Sequence, residues 1–144
     1  MIASFLLPLF LFTKQPVFIS MENKTFTVKG IVQNYSGNQM GFNFNKVKPI
    51  LEKSYKVLAV EGIHSHRGKP ELELNDLDSN YEIIKTNKKG EFQIVLKPGI
   101  YTFFILKDDK IYLNHFDGVG NYSHIKLKDN LDNFIIRDYQ NAYF

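Results

Sequence analysis

A chain of 144 residues with 44% hydrophobic and 23% charged residues has the make-up of one folded domain with a real core, which excludes a disordered segment. The formal charge of +3 comes from lysines scattered among acids, so the clustered basic face that nucleic acid requires is absent. With no cysteine, disulfides, thiolate metal sites and thiol nucleophiles are excluded together.

Residues 1–20 differ from the rest. Residues 2–12 are almost unbroken apolar sequence, which fits the core of a signal peptide and falls short of the about 20 residues a bilayer span needs. The expectation is an exported protein whose mature domain, residues 21–144, holds no membrane span.

The mature part is rich in aromatic residues, 13 Phe and 8 Tyr with no Trp, a composition that strands accommodate well. Residues 25–32 alternate, with Phe26, Val28 and Val32 on one face, and predict the first strand. Residues 34–46 have loop composition. Residues 55–61 predict a second strand through Val57, Leu58 and Val60. Residues 62–80 are polar and read as an irregular excursion in which Leu72, Leu74 and Leu77 tuck back. Residues 81–86 predict a strand with Ile83 and Ile84.

The most informative stretch is residues 87–105. Asn87 can close a turn with its own side chain, and Gly90 accepts positive φ. Phe92, Ile94 and Leu96 then alternate with Glu91, Gln93 and Val95. Pro98 and Gly99 fit the central positions of a type II turn, which predicts a hairpin with residues 100–106 as its central second strand. Residues 107–110 form a charged turn, 111–116 a strand, and 117–121 a glycine turn centred on Gly118. Residues 122–127 and 131–139 predict the last two strands. Seven or eight short strands without a helical period indicate an all-β antiparallel sandwich.

The run from Gly90 through Phe92, Leu96, Pro98 and Gly99 to Tyr101 resembles the G-x-F-x-x-x-L-x-P-G-x-Y hairpin of carboxypeptidase regulatory-like domains. Val28, Gly30 and Val32 resemble that family's opening strand. Residues 37–40, Phe116–Gly118, Asp138–Tyr139 and Ala142–Tyr143 resemble a group of exported Bacteroidetes members. The resemblance implies a Greek-key, prealbumin-like (transthyretin-like) sandwich. It further implies a mostly non-catalytic module of the periplasm or cell surface, without cofactor, that meets an envelope protein or carbohydrate. A hydrolase on the same fold carries a C-terminal Tyr-Arg-Gly-Ser. This sequence closes on Asn141-Ala142-Tyr143-Phe144 instead.

Four constellations are candidates for chemistry. His64 and His66, two apart in extended chain, share a face and are the weak metal candidates; no third ligand stands at a defined spacing. Asp76, Asp78 and Asn80 copy the start of a calcium loop, but Tyr81 and Asn87 occupy the positions that need Gly and Glu. His115, Asp117 and His124 bracket the glycine turn and would be the acid–base set of a small hydrolase, the rival to the binding module. Tyr112, Phe116, Tyr122 and Tyr143, with Phe144, are candidates for an exposed aromatic face that takes a sugar or a protein.

Overall fold

The computed structural model describes residues 23–38, 40 and 54–143; the expected signal segment, most of the expected loop 34–46, and Phe144 lie outside the described residues. The chain is an all-β sandwich. Its strands are β1 (Phe26–Asn38), β2 (Lys56–Glu61), β3 (Glu71–Glu73), β4 (Tyr81–Lys85), β5 (Glu91–Leu96), β6 (Gly99–Lys107), β7 (Lys110–Tyr112), β8 (Ile125–Leu127) and β9 (Leu131–Tyr143). That makes nine strands among the described residues, rather than seven or eight, because the excursion after Gly62 contains β3 and a single 3-10 turn, Leu74–Asp76.

One sheet has the order β5-β1-β9, and the other β3-β7-β6-β2-β4, with β8 also pairing β6. All pairs are antiparallel except one: β1 and β9 run parallel, from Val28 opposite Leu131 to Asn38 opposite Tyr143. The register shifts between Val28 and Gly30, and again between Asn34 and Ser36. Each shift leaves one extra residue in β9, and Asn133 at φ 60° takes up the first of them. β1 also runs six residues beyond the expected end at Val32, because β9 supplies partners for a segment that looks like loop by composition.

The expected hairpin is a crossover between layers. β5 pairs β1 in the first sheet, whereas β6 pairs β2 in the second, so residues 97 and 98 carry the chain from one to the other. The faces are those expected: Phe92, Ile94 and Leu96 are buried while Glu91, Gln93 and Val95 are exposed. What differs is the partner. Gly99 stands at φ 158°, far from the roughly +80° of a type II turn, and pairs with Leu127 as the first residue of β6. By contrast, Gly90 behaves as expected. Its N–H donates to the Asn87 carbonyl at 3.0 Å, and the Asn87 Oδ1 accepts from the N–H groups of Lys89 and Glu91 at 3.0 and 2.9 Å. Gly90 sits at φ 79°, so close to β1 that a Cβ would meet the Val32 carbonyl oxygen at 2.4 Å.

β6 is buried from Tyr101 to Ile105 because it has a layer on each side. On the inner side Phe103 meets Phe92 and Phe134 of the first sheet, with ring centroids 6.3 and 4.9 Å away. On the outer side Phe104 and Leu58 are covered by two excursions, residues 62–69 and 114–124. The excursions are held together by a Ser65–Asn121 bridge and by the Tyr122 N–H donating to the His64 carbonyl. The expected strands 111–116 and 122–127 are therefore cut down to Lys110–Tyr112 and Ile125–Leu127, with the chain between them spent on this cover.

Candidate functional site

The same division of β6's edge opens the most promising cavity. β7 pairs β6 at Ile105 to Lys107 and β8 pairs it at Gly99 to Tyr101, so the ladder on that edge is interrupted at residues 102–104. There the excursion leaves the sheet, and β9 of the other sheet forms the facing wall. A cleft of about 460 Å³ results. Its floor is core: Tyr101, Phe103, Leu113 and Ile136 are buried and Phe134 is half-buried. Its rim is polar, with Asn114, His115, Ser123 and His124 from the excursion and Arg137 and Tyr139 from β9. Such a volume, with apolar walls and a few convergent polar groups, is within the range of small-molecule sites.

Several rim groups are held in place. The His124 Nδ1 lies 3.1 Å from the Tyr122 carbonyl oxygen, and since a carbonyl only accepts, Nδ1 carries the proton and Nε2 remains for other work. The Ser123 N–H donates to the His115 carbonyl at 2.9 Å, which clips the two arms of the excursion together beside the cleft. The Tyr139 ring stacks on Tyr35, centroids 5.1 Å apart. Burial raises the Tyr139 phenol above its ordinary value, and Tyr101 likewise. Among the described residues no Asp or Glu lines the cleft.

The histidine–aspartate set is only partly brought together. His115 and His124 both line the cleft, but Asp117 does not. Its Oδ1 accepts from the Val119 and Asn121 N–H groups at 2.8 and 3.1 Å, and its Oδ2 from the Asn121 amide at 3.2 Å. Those bonds, the Val119 N–H foremost, hold the exposed Asp117 carboxyl below its usual range and commit it to closing the glycine turn at Gly118.

The expected aromatic face is corrected. Tyr112 and Tyr122 are core residues, 6% and 0% exposed. Tyr122 donates its hydroxyl to the Lys69 carbonyl at 2.7 Å and packs edge-on against Phe104, centroids 5.0 Å apart. Burial pushes both phenols up to about 12. Phe116 is exposed, but it lies 4.5 Å from the His66 ring and 5.8 Å from Tyr122, as the lid of the outer core. Tyr143 pairs with Asn38 through its backbone, and its side chain lies outside the described residues. The physical reason differs for the two: Tyr122 is buried because the second sheet has a covered outer face, whereas Tyr112 pairs with Ile105 and faces inward, towards Tyr139 and Asp138 of β9.

His64 and His66 serve the same cover. His64 Nε2 donates to the Glu61 carbonyl at 2.8 Å, and His66 Nδ1 accepts from the Gly68 N–H at 2.8 Å. Among the described residues no three His, Cys, Asp or Glu side chains are grouped to hold a metal, and no helix is long and apolar enough to cross a membrane.

Asn114, Ser123, Arg137 and Tyr139 are the site residues that sequence reasoning misses. They come from segments up to 25 residues apart with no motif spacing, and only the meeting of β9 with the excursion gathers them. Comparison with family models, with curated proteins and with solved structures returned no match to this chain.

Proposed function

We propose that the chain is a non-enzymatic binding module of the cell envelope, exported, and built on a prealbumin-like sandwich of the carboxypeptidase regulatory-like type. The observation that carries the reading is the cleft itself: an apolar floor of core side chains open to a rim of hydrogen-bonding groups. The Gly90-to-Tyr101 motif supports the family assignment, and the apolar run at residues 2–12 supports export. The partner is an envelope protein or a carbohydrate.

The rival reading is a small hydrolase that uses His115 and His124, which share the cleft with Ser123. Against it stands the commitment of Asp117 to its turn, which leaves neither histidine a carboxylate among its hydrogen-bond partners named above.

One experiment separates the two. The full chain is applied to arrays of envelope glycans and peptides and, in parallel, to a panel of aryl esters. Retention of an array ligand that is lost in a Ser123→Trp variant, with no ester turnover, supports the module. Ester turnover abolished by His124→Gln replaces it with the hydrolase.

A further inference from the structure

We propose that the cleft takes a small organic carboxylate with an aromatic or branched aliphatic body. The inference rests on the binding-module reading of the same cleft and gives that cleft a small acid as occupant in place of the envelope protein or carbohydrate.

The formal charge on the rim is positive. Arg137, exposed on β9, brings a guanidinium, and His115 and His124 line the same cleft from the excursion. Asp117, which interacts electrostatically with His124, has its carboxylate oxygens occupied by Val119 and Asn121. Among the described residues no acid lines the cavity to offset the Arg137 guanidinium, so the cleft favours an anion. A guanidinium presents paired donors in a plane that suits a carboxylate, and the hydroxyl of Ser123 and amide of Asn114 add neutral donors at the same rim.

The floor excludes a bare inorganic anion as the fitting ligand. Phe103 and Phe134 lie 4.9 Å apart at the bottom of the cavity, beside Tyr101 and Ile136. Filling about 460 Å³ lined by these groups needs apolar bulk, which a ring or a branched chain supplies. A neutral sugar would bring no charge to meet the Arg137 guanidinium, and a long fatty chain would leave the cavity.

The test is a titration of the ¹⁵N-labelled full chain with 2-naphthoate, with 2-naphthamide as the neutral counterpart of nearly equal shape, and with inorganic phosphate. The expected result is saturable shifts at residues 113–115, 123–125 and 134–139 with naphthoate, at an affinity at least tenfold that for naphthamide or phosphate. An Arg137→Gln variant, altered at an exposed position, should bind the acid no better than the amide. Equal affinity for acid and amide, tight binding of phosphate alone, shifts confined elsewhere, or an unaffected Arg137→Gln variant would each overturn the proposal. So would the absence of any saturable shift with naphthoate. If an array ligand is still retained in that case, the binding-module reading survives and only the carboxylate specificity falls.

Discussion

The hydroxyl of Tyr101 donates to the carbonyl of Lys97 at 2.7 Å, across the corner where the chain passes from one sheet to the other. Lys97 is the last residue before Pro98, and Tyr101 is the third residue of β6. The bond ties the exit of one layer to the entry of the next. Tyr101 thus has a structural task at the corner and a place in the floor of the cleft.

Removing that hydroxyl in a Tyr101→Phe variant should cost about 1 kcal/mol, the usual worth of one such bond. The ring and its packing stay. A urea midpoint equal to that of the wild type would show that the corner is held by packing alone.

Glycine substitutions should differ in cost. Gly90→Ala forces a Cβ to within 2.4 Å of the Val32 carbonyl oxygen at φ 79°, and the Val32 N–H in turn donates to the Gly90 carbonyl at 2.8 Å. Gly99→Ala meets nothing nearer than the Tyr101 ring at 3.7 Å. The first substitution is expected to destabilise by about 2 kcal/mol or more, the second by clearly less. Denaturant midpoints in the reverse order would contradict the inter-sheet corner described for Pro98 and Gly99.

A buried polar cluster joins β1, β9 and the start of β2. Asn34 donates through Nδ2 to the Tyr55 hydroxyl at 2.6 Å and to Asp138 Oδ2 at 3.1 Å, and the Tyr55 hydroxyl donates to the same oxygen at 3.2 Å. The Gln140 N–H donates to Asp138 Oδ1 at 3.0 Å. Asp138→Ala would strand three donors in a site 3% exposed, at a cost of about 3 kcal/mol. Asp138→Asn should cost less, because an amide oxygen still accepts. Calorimetry of both variants checks the order.

Stability should decline in alkali before the backbone chemistry intervenes. Burial raises Tyr112 and Tyr122 from 10.0 to about 12 in the folded state. A raised pKa means that the folded form holds its proton more tightly, so this stabilisation is complete below pH 10. It is lost as pH climbs from 10.0 towards 12. Urea midpoints at pH 8, 10 and 11.5 should fall across that window, and a Tyr112→Phe/Tyr122→Phe variant should fall less. Identical profiles for the two proteins would remove these phenols as the cause.

Alternation along the chain was enough to determine the fold class and most buried faces. Phe92, Ile94 and Leu96 point inward, and Asn87 with Gly90 makes its turn, because these features depend on local φ/ψ and a period of two. Which strand each one joins was not legible. A strand's period specifies its faces and leaves its hydrogen-bonding edges open, so β5 and β6 looked like one hairpin although they lie in different sheets. The parallel pairing of β1 with β9 depends on residues about a hundred positions apart, and so does the burial of Asn34 against Asp138. The cover over Phe104 likewise turned Tyr122 from a surface candidate into core and set His66, half-buried, against its ring. The sequence by itself determined a β-sandwich and pointed to His115 and His124. Only the tertiary structure brought them into one cleft with Arg137, because the interruption in β6's edge opens that wall of the core to solvent.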